Sequence, residues 1–157
     1  MCELVEGSLK GIKVLDFSTL LPGPLASLFL AETGAEVIKI EKPIIGDEMR
    51  SSYPKWNDES ISFSMLNRGK KSLCLDLKDK NSLKVLKPLI EKADILIEQF
   101  RPGVMKRLGL DYANIKKINN KIIYVSITGY GQTGPKKMLA GHDLNYIGNT
   151  GLLSLSM

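Results

Sequence analysis

Short runs of β-branched and apolar residues alternate along this chain with helical patterns, and glycine or proline closes most of the runs. Residues 12–17 carry Ile12, Val14, Leu15 and Phe17 and read as a first strand. Pro22-Gly23-Pro24 ends it and leaves Pro24 near the first turn of a helix. Residues 25–33 place Leu25, Leu28 and Phe29 at helical spacing, with Glu32 where that face should meet water and Gly34 as a C-terminal cap. Residues 36–41 alternate as a second strand, stopped by Pro43. A strand, a helix and a strand in that order require a right-handed crossover and a parallel pair.

The pattern continues. Residues 44–60 read as a long irregular loop, and residues 61–66 as a short helix. Asn67 to Lys71 form a basic turn before a third strand at 72–77. Residues 79–92 are amphipathic, with Leu83, Leu86, Leu89 and Ile90 on one side and a bend expected at Pro88. A fourth strand spans 94–98, short helices cover 104–108 and 111–118 with Asp111 as cap, and a fifth strand covers 122–128. A last helix runs from His142 to about Ser154. The expected class is α/β, a Rossmann-like mainly parallel sheet flanked by helices. In such sheets ligands bind beyond the carboxyl ends of the strands. The loops at 18–24, 42–46, 78, 100–103 and 129–141 should therefore share one edge, bringing Lys42, Lys78 and Arg101 to it.

At 157 residues a single domain is expected, spanning 1–157. The apolar tail at 151–157 suggests a chain truncated at its C-terminus. A net charge of +5 suits a phosphate-bearing ligand and equally suits ordinary solvated lysines. The scattered basic residues and few aromatics argue against nucleic acid. No run approaches a membrane span and the first residues lack a signal-peptide core, so a cytoplasmic or organelle-matrix protein, not a secreted one, is expected. Cys2 and Cys74 give neither a disulfide framework nor zinc spacing; Cys2 is expected at a loose terminus and Cys74 in the core.

The segment after the fifth strand carries the chemistry-bearing candidates. Gly129-Tyr130-Gly131-Gln132-Thr133-Gly134 matches a dinucleotide fingerprint, but Pro135 and two lysines follow where a helix should open, and no acid lies about 20 residues on. A loop needing positive φ is the better reading. His142 is the chain's one histidine, followed by Asp143. Such a ring is either a structural cap or a base at a helix start, where amide donors face developing negative charge. Lys42, Lys78, Arg101 and Arg107 are either solvated or phosphate-binding.

Taken in order, LDFS (15–18), PGP (22–24), GAEVIKIEKP (34–43), NRGKKSLCLDLK (67–78), FRPG (100–103) and GYGQTGP (129–135) resemble the N-terminal part of the family III CoA-transferases. LAGHDLNY (139–146) resembles the α-methylacyl-CoA racemase branch of that superfamily. The resemblance implies a coenzyme A-binding α/β domain in an interlocked homodimer, with an acyl-CoA thioester as partner, and neither nucleic acid nor membrane. It implies CoA contacts at Lys42, at Leu75, Asp76, Leu77 and Lys78, and at Arg101 and Arg107. It places Gly141, His142, Asp143, Asn145 and Tyr146 beside the thioester. No metal and no prosthetic group is implied; coenzyme A enters as part of the substrate.

The transferases resembled here tend to carry another residue, often tyrosine, where this chain has His142; the racemase carries histidine. The resemblance therefore implies inversion at the α-carbon of a 2-methylacyl-CoA through an enolate, with His142 as one acid–base partner. The second partner, an aspartate, and the small domain would lie beyond Met157. CoA transfer between carboxylic acids through an aspartyl-CoA intermediate is the alternative, and a non-catalytic CoA-binding fragment is a third.

Overall fold

The computed structural model describes residues 7–156. Cys2 lies outside them. Five strands form one wholly parallel sheet: β1 (Lys13–Asp16), β2 (Glu36–Glu41), β5 (Lys71–Cys74), β6 (Ile95–Glu98) and β7 (Ile123–Ser126), in the order β5-β2-β1-β6-β7. The helices are α1 (Pro22–Glu32), α2 (Ile61–Asn67), α3 (Ser82–Lys92), α4 (Val104–Arg107), α5 (Tyr112–Ile118) and α6 (Asp143–Asn149). The class is the one the alternation implies.

Each face of the sheet has its own core. Leu15, Phe17, Ile40 and Leu96 pack with Leu86 and Ile90 of α3 and Ile115 of α5. Val14, Val37 and Ile97 pack on the other face with Leu30 and Ala31 of α1. A strand buried on both sides needs apolar residues at successive positions, which Val14-Leu15 and Leu96-Ile97 supply.

Several boundaries differ from the sequence reading. Helix α1 starts at Pro22, because both prolines fit a first turn that needs no amide donor. Its buried stripe is Gly23, Pro24, Ser27 and Leu28, whereas Phe29 is exposed. The stripe follows the sheet's polar end, where a serine rather than a phenylalanine finds partners. Thr33 is the C-cap, and Gly34 follows it at φ +104°. The segment 44–60 contains a 3₁₀ turn at Glu48–Ser51 and a two-stranded antiparallel ribbon of β3 (Lys55–Trp56) and β4 (Glu59–Ser60). Strand β5 ends at Cys74, since Asp76 turns the chain by accepting the Lys78 amide at 2.9 Å. Cys74 is exposed rather than in the core, because it ends an edge strand and its neighbours on either side, Leu73 and Leu75, take the inward positions. Helix α3 starts at Ser82, runs on through Pro88, and leaves Leu83 exposed. Asp111 is the N-cap of α5, but its carboxylate accepts from the Asn114 side chain at 2.6 Å, not from a backbone amide. The last helix stops at Asn149, and a 3₁₀ turn, Leu152–Ser156, follows Gly151 at φ +79°.

The α1 face of the sheet changes character toward the carboxyl edge. Beyond Val14 and Val37 the next residues on that face are Asp16 and Lys39, register partners, and then Glu41. All three are buried. Asp16 accepts from the Ser18 amide at 2.9 Å, from the Ser18 hydroxyl, and from Ser27 Oγ at 2.5 Å. Lys39 Nζ lies 2.7 Å from the Ser18 carbonyl and 2.8 Å from Asp47 Oδ2. Lys70 Nζ donates to the Pro24 carbonyl, Ser27 Oγ and Asn67 Oδ1 and stands 3.5 Å from Asp16. Burial pushes the Lys70 ammonium down to about 8, with Asp16 opposing and Lys39 adding to the effect. A buried charge survives only when paired and hydrogen-bonded, and each of these is.

Glu41 anchors the neighbouring cluster, accepting from Arg50 at 2.7 Å on each oxygen, from Ser72 at 2.6 Å and from the Asp47 amide at 2.9 Å. Burial alone would raise this carboxyl; the bonds from Arg50, Ser72 and Asp47 outweigh it and hold it at about 2. A carboxyl lowered on folding contributes stability above its unfolded value of about 4.5, lost as pH falls toward the folded value. Acid titration of the melting temperature should therefore show a loss between pH 4.5 and 2 that is much smaller in Glu41→Gln. Equal acid slopes in the two proteins would refute this role.

Candidate functional site

The strand order fixes where a ligand crevice can open. From β1 the chain moves to β2 on one side, and it later returns to place β6 on the other, so β1 and β6 flank the topological switch point. The loops after these two strands meet there, but Gln99 fills the gap. Its Oε1 accepts the Gly23 amide at 3.0 Å, and its Nε2 donates to the Thr19 carbonyl at 2.9 Å. The first turn of α1 thus offers an anion nothing: Pro22 and Pro24 have no N–H, and Gly23 is already capped. A pyrophosphate cannot sit there as it does in dinucleotide folds. The glycine-rich segment does not replace it, because no helix opens after Gly134 until Asp143.

Two clefts among the described residues are fed by strand-end loops. One, of about 460 Å³, lies between the start of α3 and the end of α4; Leu77, Lys78 and Arg107 line it together with Lys80. The structure thus unites two cations that the sequence separates by 29 positions. The second, of about 570 Å³, is lined by Arg101, Lys106, Glu98, Tyr124 and Gln132. Lys106 and Gln132 were not singled out from sequence. Adjacent Lys106 and Arg107 reach different clefts because neighbouring helical positions point about 100° apart. Burial first, then the carboxylates of Glu98 and Asp111, push the Tyr124 phenol well up, so it stays a donor, bonded to the Leu110 carbonyl at 3.0 Å.

Other candidates fall elsewhere. Lys42 lines neither cleft; it is half exposed and pairs with Glu48 at 3.1 Å. Leu75 packs against the core, and Asp76 makes the turn that presents Lys78.

The His142 segment is built on one tyrosine. Tyr146 O–H donates to the Gly141 carbonyl at 3.0 Å, and its ring meets Tyr130 edge-on with centroids 5.3 Å apart. A Cβ at Gly129 would lie 2.2 Å from the Tyr146 oxygen, and one at Gly141 would lie 2.8 Å from the ring. Both glycines are needed for close approach, since neither has positive φ. His142 is the exposed N-cap of α6, and its amide donates to Asn145 Oδ1 at 2.8 Å. Asp143 begins the helix, where a carboxylate suits the dipole. Asn145 and Tyr146 thus hold the segment, and His142 and Asp143 remain exposed. Gly129→Ala should displace Tyr146 and loosen α6, speeding amide hydrogen exchange there at least tenfold while leaving α3 unchanged. Unchanged exchange in α6 would contradict this packing.

The sequence model of CoA-transferase family III matches residues 9–157. The chain belongs to CoA-transferase family III. It is 44% identical over 138 residues to an acetyl-CoA:oxalate CoA-transferase of Acetobacter aceti, covering 88% of this chain and 36% of that one. It is 40% identical over 147 residues to the human alpha-methylacyl-CoA racemase, covering 94% of this chain and 35% of that one. The crystal structure of a CAIB/BAIF family protein from Brucella suis superposes with a TM-score of 0.87 at 36% identity, over 93% of this chain and 40% of that one. The chain therefore spans about a third of the length of these curated relatives. Family members with both transferase and racemase names match at comparable identity, so overall likeness does not separate the two chemistries.

Proposed function

We propose that this chain is the coenzyme A-binding α/β domain of an acyl-CoA racemase-like enzyme that inverts the α-carbon of a 2-methylacyl-CoA. The single observation behind the racemase reading is His142: an exposed imidazole at the start of α6, following the loop from a strand's carboxyl end, with Asp143 next to it. A thioester acidifies its α-hydrogen. His142 takes that proton, the electron pair moves into the thioester carbonyl, and an acid on the opposite face returns a proton to the carbon. By family resemblance the second group is an aspartate supplied by sequence beyond this chain. Lys78 with Arg107, Arg101, and Lys42 are the groups offered to the phosphates of coenzyme A. The chemistry calls for no metal and no prosthetic group, and a homodimer is the proposed assembly.

The test, made on the full-length protein that includes that aspartate, is exchange of the α-hydrogen of a single-enantiomer 2-methylacyl-CoA in deuterated water. Deuterium uptake with loss of optical purity supports racemisation. Its absence, with CoA exchange between two carboxylic acids, would establish the second reading, CoA transfer. That reading is favoured by the transferase names of relatives such as the succinyl-CoA:glutarate CoA-transferase of Mus musculus, 42% identical over 149 residues.

A further inference from the structure

Gln99 sits where the sheet order reverses, and it is the one side chain described there that ties the β1–α1 loop to the turn after β6 at two points. Its two bonds go to Thr19 and Gly23, on either side of Leu20, which is held at φ +63° and donates its amide to Asp47. The loop that Gln99 grips is thus fixed from the opposite flank as well, through Asp47 and the buried Lys39. A grip on a rigid object positions whatever lies on the other end of the gripping residue.

That other end is Arg101, two residues on. Glu98, 2% exposed, accepts the Phe100 amide at 2.8 Å, and the Arg101 carbonyl accepts the Val104 amide at 3.0 Å. With Gln99 anchored between them, the segment from β6 to Arg101 is tethered at Gln99, Phe100 and Arg101. Arg101 itself is exposed and lines the larger of the two clefts, and among the described residues no hydrogen bond or ion pair holds its guanidinium, so its backbone is what sets where that charge can reach. We propose that Gln99 is a positioning residue that acts through Arg101, setting the guanidinium in the cleft and thereby the affinity for a phosphate-bearing acyl-CoA. This rests on the reading of Arg101 as a coenzyme A contact.

The test is a double-mutant cycle on CoA binding to the 157-residue chain by titration calorimetry, at a temperature where circular dichroism shows every variant folded. Gln99→Met keeps the side chain's length and removes both hydrogen bonds. Gln99→Met is expected to weaken binding about tenfold, Arg101→Gln at least as much, and the double variant no more than Arg101→Gln alone. A merely structural Gln99 would lower affinity equally in both backgrounds, so losses that multiply would overturn the proposal, as would wild-type affinity in Gln99→Met. Should Gln99→Met fail to fold, Gln99→Asn, too short for either partner but still polar, carries the same cycle. A wild-type chain that does not bind CoA, or an Arg101→Gln variant that binds as wild type, would remove the reading of the site beneath this inference; failure of the inference itself shows only where both hold.

Discussion

In the full-length protein, His142→Ala is expected to slow deuterium uptake at the α-carbon by about a hundred- to ten-thousand-fold, the range a positioned proton-transfer group supplies. The substitution leaves the architecture alone. The ring is exposed, and the bond that starts α6 comes from the backbone amide of residue 142 to Asn145, which alanine retains. The melting temperature should therefore move by no more than an ordinary surface change allows, and CoA should bind as before. Mass spectrometry of the acyl-CoA after incubation in deuterated water reads the rate directly. Exchange that continues at the wild-type rate would remove His142 from the mechanism.

Lys39→Met should have the largest effect on stability. It leaves Asp47 with a buried carboxylate oxygen 2.8 Å from where its partner was, and the Ser18 carbonyl without its donor. Breaking one side of a buried pair costs about 3–5 kcal/mol. For a chain of this length that corresponds to a fall of roughly 10 °C in melting temperature. Lys39→Met with Asp47→Asn should recover part of the loss, because asparagine removes the stranded charge and can still accept from the Leu20 and Met49 amides through Oδ1. Thermal melts of the two variants decide it: a double variant less stable than Lys39→Met would mean that the charge of Asp47 is not the source of the cost.

The sheet was readable because its signals are local. Apolar runs such as Val14-Leu15 and Leu96-Ile97, each closed by a turn, demand burial on both faces whatever else the chain does. The polar end of the α1 face was not readable. Lys39 and Glu41 alternate with apolar neighbours as outward-facing residues of a half-buried strand would, and only their distant partners Asp47, Ser18, Arg50 and Ser72 make burial tolerable. Lys70 looked like part of a basic turn for the same reason. Phe29, expected on the apolar face, is exposed and Ser27 is buried, because helical spacing alone does not tell which stripe faces a polar partner. At the site, strand-end placement put Lys42, Lys78 and Arg101 at one edge and the resemblance added Arg107, but the division of Lys78, Arg101 and Arg107 between two clefts depends on how α4 is turned. Gln99 carries no motif; its importance lies in bonds to residues 76 and 80 positions away.

The closed first turn of α1 has a consequence for ligand choice. Folds that cradle a phosphate in free backbone amides hold it with fixed dipoles that ions in solution disturb little. Here two prolines and a glutamine side chain have removed that option, and an incoming anion meets lysine and arginine tips on exposed stems. Capture by such tips weakens steeply as added salt shortens the Debye length from about 30 Å at 0.01 M to about 10 Å at 0.1 M. It also discriminates by how many phosphates a molecule carries and how far apart they lie.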